Sequence, residues 1–121
     1  MKSVLIADDH PSLRLLVSAT LASNELDIIE AADGDEAWEL LQRRRPDIAL
    51  LDVQMPGRTG LELAQAIRAN DELSQMYVIL LTSKAQQADV AAGLAAGANR
   101  YLTKPFSPLE LLEEVERGLD G

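Results

Sequence analysis

Four short apolar runs in this chain each end in a polar residue that can carry chemistry. The runs are Val4–Ala7, Ile48–Leu51, Val78–Leu81 and Tyr101–Thr103. Asp8 and Asp9 follow the first run, and Asp52 follows the second. Thr82 follows the third run, and Lys104 follows the fourth. If the runs are parallel strands, their carboxyl ends lie along one edge of a sheet, where open α/β sheets bind ligands. The pattern therefore predicts three carboxylates, a hydroxyl and an ammonium in one pocket.

Segments with helical periodicity separate the runs, as in a parallel sheet covered by helices on both faces. A further strand is predicted over Asp27–Ala31, which gives five strand–helix units. Helix-start signals are Pro11 for the first helix, Asp33 with Glu36 for the second, and Gly60 just before the third. The alternation predicts an α/β fold.

The last two predicted helices differ in apolar content. The fourth spans about Gln86–Ala96 and is mostly alanine, so it is either weakly anchored or packed closely on the sheet. The fifth begins with a capping box in which Ser107 and Glu110 flank Pro108. The residues expected to form the buried stripes of the helices are Leu13, Leu16, Val17 and Leu21; Ala37, Leu40 and Leu41; Leu63, Ala64 and Ile67; and Leu112, Val115 and Leu119.

The composition fits one globular domain. The chain has 121 residues, of which 47% are apolar and 26% charged, enough for a core without disulfides. It has no cysteine, no apolar run of about 20 residues and no signal-peptide pattern. We therefore expect one cytoplasmic domain over residues 1–121 with no membrane segment. Residues 117–121 are expected to form a tail or the start of a linker.

The formal net charge of −9 indicates cations or basic surfaces as partners. Phosphate backbones attract surfaces rich in lysine and arginine, so we expect no direct nucleic-acid binding by this domain. The basic run Arg43–Arg45 ends the second predicted helix, where positive charge complements the helix dipole. Glu36 and Glu39 share that helix, and no aromatic residues accompany the arginines, so we interpret the run as a solvated helix end.

The predicted carboxylate cluster needs a cation. Unit charges about 5 Å apart repel by about 3 kcal/mol at an effective dielectric constant near 20, so Asp8, Asp9 and Asp52 are costly together. Mg²⁺ prefers a few carboxylate or carbonyl oxygens and keeps several waters. The acidic pair alone is equally compatible with Asp9 capping the first helix and Asp8 facing water.

Asp52 is the strongest single candidate, because the turn Met55–Gly57 exposes the end of its strand. A carboxylate at this place can attack phosphorus and form an aspartyl phosphate, although a lone Asp52 would be read as a turn residue. Lys104 precedes Pro105, and a cis bond there would fix the loop that carries the ammonium. Thr82 is at home in any strand, but at the pocket edge its hydroxyl could bond a phosphoryl oxygen.

Together these residues resemble the response-regulator receiver domain of two-component signalling, the CheY-like type, over the whole chain. The matching segments are Asp8-Asp9, Leu51–Gly57 with Gly60, Thr82, and Ala96–Phe106. The resemblance implies a flavodoxin-like (βα)5 doubly wound sandwich with a five-stranded parallel sheet of order 2-1-3-4-5. The pocket then lies at the switch point between strands one and three.

The resemblance also implies roles for the acidic residues. Asp52 receives a phosphoryl group from a sensor histidine kinase or phosphotransfer protein. Asp8, Asp9 and Asp52, with the main-chain carbonyl of Gln54, hold Mg²⁺, and Lys104 contacts the phosphoryl oxygens.

A switch pair, Thr82 and Tyr101, follows from the same resemblance. The hydroxyl moves toward the phosphoryl group, the ring turns inward, and the face made of helix four, strand five and helix five changes its partners. Those partners are a downstream protein or an attached effector domain, and a dimer through the same face is a further option. From the residues alone, Tyr101 can equally be an amphipathic ring at the surface.

Three other functions fit the sequence less well. The first is a receiver-like interaction domain that acts independently of phosphorylation, which would have no need of three clustered acids. The second is an aspartyl phosphatase of the haloacid dehalogenase type, which would carry a second aspartate where this chain has Gln54. The third is a flavodoxin-like cofactor site, which would need a Ser/Thr/Gly phosphate cradle after the first strand. We therefore expect a signalling domain that catalyses only its own phosphorylation and dephosphorylation.

A few residues depart from the usual family pattern. Thr59 and Asn99-Arg100 replace residues that are commonly acidic. His10, beside the acidic pair, is interpreted as a surface residue at the helix start, and Trp38 as a packing or partly exposed residue.

Overall fold

The computed structural model describes residues 1–22, 25–83 and 88–120, apart from the side chains of 88–90. Along these residues five strands alternate with five helices. The strands are β1 (Ser3–Ala7), β2 (Asp27–Ala31), β3 (Ile48–Asp52), β4 (Tyr77–Ser83) and β5 (Arg100–Lys104). The helices are α1 (Pro11–Leu21), α2 (Gly34–Arg44), α3 (Gly60–Ala69), α4 (Ala88–Ala95) and α5 (Pro108–Asp120).

All strands run parallel and lie in the order β2-β1-β3-β4-β5. Alternate residues of a strand face opposite sides of the sheet. Leu5 and Ala7 of β1 therefore join one apolar cluster, which α2 and α3 cover, and Val4 and Ile6 join the other, which α1 and α5 cover. The flavodoxin-like (βα)5 sandwich and its strand order are confirmed.

The buried stripes of α1 and α5 are narrower than predicted. In α1 the row through Val17 and Leu21 is fully buried, whereas Leu16 is 43% exposed. In α5 Leu111 is fully buried, while the predicted Leu112 is only partly buried. In each helix the fully buried apolar residues are spaced four apart, so Leu16 and Leu112 lie on the flank of that row.

Side-chain caps begin three of the helices. Asp33 accepts a hydrogen bond from the N–H three residues on, and Ser107 and Glu110 bond each other's main chain, as predicted. Thr59 and Glu62 form a second reciprocal capping box, at the start of α3, which was not predicted from the sequence.

Helix α4 packs closely on the sheet. A Cβ atom added to Gly93 would collide with the side chain of Leu80 on β4, so glycine allows this approach without a shift of Leu80. Close packing, one of the two predicted explanations for the small residues, is thus present at this position. The predicted residues Gln86 and Gln87 of this helix lie outside the described residues.

The three arginines that end α2 are each paired with a carboxylate. The pairs are Arg43 with Glu39, Arg44 with Asp27, and Arg45 with Glu72. This pairing agrees with the interpretation of a solvated helix end. None of the helices in the described ranges is long and apolar enough to cross a membrane.

Candidate functional site

The sheet topology brings the predicted strand-end residues to one cleft. β1 and β3 are neighbours, with Ala7 beside Leu51, so Asp8 and Asp52 continue adjacent strands at the point where the strand order reverses. Lys104 ends β5 and reaches back across β4 to these two carboxylates. The cleft has a volume of about 580 Å³ and is lined by Asp9, His10, Asp52, Gln54, Met55, Ser83 and Lys104.

Asp8 is fully buried and firmly held in its ionised form. Lys104 Nζ donates to its Oδ2 at 2.7 Å, and the His10 main-chain N–H donates to its Oδ1 at 2.8 Å. Burial alone would raise the pKa of Asp8, but the hydrogen bonds from Lys104 and His10 and the lysine charge outweigh it and lower this pKa below its usual value. Asp8 therefore anchors the ammonium of Lys104.

Asp52 is held less favourably. Only 4% of the residue is exposed, Lys104 Nζ lies 3.4 Å from its Oδ1, and the Gln54 N–H donates to the same oxygen at 3.3 Å. Burial raises the pKa of Asp52 and the charge of Asp8 adds to this, while Lys104 only partly offsets them. Ionised Asp52 therefore destabilises the folded protein, and a nearby cation would reduce this destabilisation.

The acidic cluster offers a donor set that suits a hard divalent cation. Asp8, Asp9, His10 and Asp52 each present a ligand atom, and these atoms all lie within 4.8 Å of one another. Asp9 is exposed to the cleft, unlike the two other carboxylates. Carboxylate oxygens open to solvent on one side fit Mg²⁺, which keeps several of its waters. The chemistry of the donors therefore agrees with a magnesium site.

Thr82 and Tyr101, the predicted switch pair, lie in different surroundings. Thr82 is fully buried in β4, and its hydroxyl donates to the main-chain oxygen of Ser83 at 3.3 Å. Tyr101 is 43% exposed and lines a second cleft of about 520 Å³ between β5 and α5. The structure thus brings Asp8, Asp9, Asp52, Gln54 and Lys104 together and holds the tyrosine apart from them.

His10 lies next to two of the predicted metal ligands. It lies at the start of α1 with 69% of its side chain exposed, as predicted, but its Nδ1 atom is 3.0 Å from Asp8 Oδ1 and 3.2 Å from Asp9 Oδ1. Its position immediately after two predicted ligands was the signal available in the sequence. The Lys104–Pro105 peptide bond is cis, as considered from the sequence.

Comparison with known proteins gives one consistent family. The sequence model of the family described as "Response regulator receiver domain" matches residues 4–116. The phosphate regulon transcriptional regulatory protein PhoB of Pseudomonas aeruginosa is 34% identical over 115 residues, which are 95% of this chain and 50% of PhoB. This chain spans about half the length of the curated relatives it matches.

Solved structures agree with that match. The chemotaxis response regulator CheY4 of Vibrio cholerae shares 36% identity with a TM-score of 0.90, over 98% of each chain. The receiver domain of the sensor histidine kinase PA1611 from Pseudomonas aeruginosa shares 32% identity with a TM-score of 0.90, over 99% of this chain and 98% of that one. That structure contains a magnesium ion coordinated in its active site cleft.

Proposed function

Since this chain belongs to the response regulator receiver domain family, we propose that it is a phosphoacceptor switch whose phosphorylated residue is Asp52. The carrying observation is the environment of Asp52, a nearly buried carboxylate at a strand end with an ammonium 3.4 Å away. The donor is a sensor histidine kinase or a phosphotransfer protein. Receiver domains are signalling domains, and we propose that this one catalyses only its own phosphorylation and dephosphorylation, in the cytoplasm.

The transfer uses residues of this chain in defined roles. A carboxylate oxygen of Asp52 attacks the phosphorus of a phosphohistidine, so that a P–O bond forms while the P–N bond breaks. The departing imidazole nitrogen keeps the electron pair and takes up a proton. Lys104 neutralises charge on the phosphoryl oxygens, and its bond to Asp8 holds the ammonium in place for this purpose. Attack of water on the phosphorus later returns the carboxylate and releases phosphate.

Mg²⁺ is the proposed cofactor. Asp8, Asp9, Asp52 and the main-chain carbonyl of Gln54 would hold it, and the donor chemistry of the described cluster supports this. The bound ion would neutralise the carboxylates together with the incoming phosphoryl oxygens.

Phosphorylation would change the balance around Lys104 and Thr82. A phosphoryl group on Asp52 offers Lys104 new oxygen partners, and it offers the Thr82 hydroxyl a better acceptor than the Ser83 carbonyl it now meets at 3.3 Å. In this proposal, movement of Thr82 leaves room for the ring of Tyr101 to turn inward. The face formed by α4, β5 and α5 would then change its partner binding.

The charge of that face favours a basic partner. α5 carries five acidic residues and one arginine, and Glu114 takes both Arg100 and Arg117 as ion-pair partners. Glu110 and Glu113 also line the cleft beside Tyr101. A symmetric dimer through this face would bring acidic surfaces together. We therefore propose a downstream protein or an attached effector domain with a basic surface, in preference to a second copy.

The phosphoacceptor function is tested by mass spectrometry. The protein is incubated with Mg²⁺ and acetyl phosphate, with and without a chelator, beside an Asp52→Asn variant. One added phosphoryl group that requires both Mg²⁺ and Asp52 supports the proposal. If no adduct forms and beryllofluoride also fails to bind, the interaction domain that acts independently of phosphorylation becomes the better description. Sedimentation of the beryllofluoride complex separates a monomer, which we expect, from a dimer.

A further inference from the structure

We propose that His10 is a metal ligand, so that the cleft binds transition cations such as Zn²⁺ through a nitrogen atom as well as carboxylates. This inference rests on the metal site of the proposed phosphoacceptor switch. It assigns a coordinating role to the one histidine of the chain.

The nitrogen of His10 and the carboxylate oxygens of Asp8 and Asp9 are spaced like ligands of one ion. His10 Nδ1 lies 3.0 Å from Asp8 Oδ1 and 3.2 Å from Asp9 Oδ1. Two ligands at right angles, each about 2.1 Å from one cation, are about 3.0 Å apart. The imidazole nitrogen and the two carboxylate oxygens therefore already have the separations of neighbouring ligands around one ion.

Main-chain hydrogen bonds hold His10 beside Asp8 and Asp9. Its N–H donates to Asp8 Oδ1 at 2.8 Å, and its carbonyl oxygen accepts from the N–H groups of Leu13 and Arg14 at the start of α1. Arg14 also donates to the Asp8 carbonyl oxygen at 2.6 Å, which ties the helix to the end of β1. These bonds hold the main chain of His10 beside the acidic pair.

The imidazole nitrogen of His10 changes which cations the cleft prefers. Imidazole nitrogen is a preferred ligand of Zn²⁺ and other first-row transition ions, whereas Mg²⁺ prefers oxygen. The ring of His10 is largely exposed, and the partners of its Nδ1 atom are the two carboxylate oxygens with which it would share the ion. A site with this nitrogen should therefore prefer transition ions over Mg²⁺ more strongly than its carboxylates alone would.

One alternative uses the same distances. The ring could act only as a hydrogen-bonding group that covers the carboxylate oxygens and has to swing away before any ion binds. In that case removal of the imidazole would strengthen the binding of every cation. The two arrangements therefore predict opposite changes in affinity.

Proton NMR with added Zn²⁺ or Mg²⁺ reads the ligand directly, because the ring signals of one histidine need no assignment. We expect Zn²⁺ to shift these signals with a stoichiometry of one ion per chain. Asp9→Asn should weaken this response, because the two residues share the ion. Unshifted signals, or a response in Asp9→Asn equal to that of the wild type, would overturn the proposal.

Calorimetric titration of His10→Phe and His10→Asn completes the test. The first variant keeps a planar ring without a nitrogen, and the second provides a good helix N-cap, so at least one should fold. The Zn²⁺ affinity should fall by about tenfold or more, with a much smaller change for Mg²⁺. A rise in affinity for both ions would overturn the proposal in favour of the covering ring. The wild-type protein could form the Mg²⁺-dependent phosphoryl adduct while its imidazole signals stay unchanged on addition of Zn²⁺. That result would support the proposed function and contradict only the role of His10 as a ligand.

Discussion

The acidic cleft and the cleft between β5 and α5 are both organised by ion pairs, but the ratio of cations to carboxylates in these pairs is reversed. In the acidic cleft one ammonium, that of Lys104, serves the buried carboxylates of both Asp8 and Asp52. In the second cleft one buried carboxylate, that of Glu114, serves two arginines, Arg100 and Arg117. The first site therefore has unmet negative charge, whereas Glu114 in the second site is paired with two cations.

This difference indicates where the protein can respond to a ligand. A cation or a phosphoryl group changes the contacts of the acidic cleft, because its anions compete for one partner. Glu114 has no such deficit, and its pair with Arg100 joins β5 to α5. A change that passes from one cleft to the other has to travel through the strands, in the proposed function through Thr82 and Tyr101.

The largest expected effect follows from removing the shared ammonium. Lys104→Met leaves the two buried carboxylates without a cation, and loss of one partner of a buried pair costs about 3 kcal/mol or more. We expect the free energy of unfolding by urea to fall by about that amount in the presence of a chelator. Added Mg²⁺ should restore more stability to the variant than it adds to the wild type. A loss below about 1 kcal/mol would mean that the ion pairs of Lys104 contribute no more than exposed ion pairs do. The two clefts would then not differ in how strongly their ion pairs stabilise the fold.

Asp52→Asn should have a smaller effect of the opposite sign. Burial, and then the charge of Asp8, raise the pKa of Asp52 in the folded protein, so ionisation of this group costs folding free energy. Stability is fully present below the ordinary carboxyl pKa of 3.8 and is lost as the pH rises through the higher folded-state pKa. The variant should therefore be about 1 to 2 kcal/mol more stable than metal-free wild type at neutral pH.

Urea unfolding at several pH values checks the origin of that gain. Both proteins are neutral at this position below the ordinary pKa, so their difference should vanish there. A difference that is independent of pH would indicate a packing effect of the amide rather than the cost of the charge.

Glu114→Gln should cost about 1 kcal/mol, because its two partners are well exposed arginines that water can solvate. The variant also changes Tyr77, whose pKa is raised by burial and then by the charge of Glu114. Loss of that charge should lower the pKa of Tyr77 toward its ordinary value. Spectrophotometric titration in a Tyr101→Phe background isolates this tyrosine, since the chain has two. An unchanged pKa would show that burial alone sets it.

The sequence predicted the acidic cleft better than the second one for a physical reason. The residues Asp8, Asp52 and Lys104 end strands, and parallel strands of known order fix where their ends meet. The pair of Arg100 and Glu114 depends on how α5 lies across β5, which no local pattern encodes.

Details below the level of the strands were also beyond the sequence. The ring of His10 reaches the acidic pair through its side-chain torsions, and the exposure of Leu16 depends on which row of α1 rests on the sheet. The role of Thr59 as a helix cap was predictable, because Thr59 and Glu62 have the three-residue spacing of a capping box. The roles of the site residues stay predictions until the phosphoryl adduct is measured.

Arg117→Gln should have the smallest effect on the free energy of unfolding. It provides the reference value for an ordinary ion pair in the second cleft. Arg117 lies one helical turn from Glu114 on α5, at 3.3 Å, and more than half of its side chain is exposed. Such pairs contribute about 0.3 to 0.5 kcal/mol, because water screens the charges and the long side chain loses freedom in the pair. The matched variant Arg100→Gln removes the shorter pair at 2.9 Å, which joins β5 to α5, and should cost more in the same urea experiment. Equal losses for the two arginines would mean that the link between strand and helix adds nothing to an ordinary surface pair, so the second cleft would no longer count as firmly held.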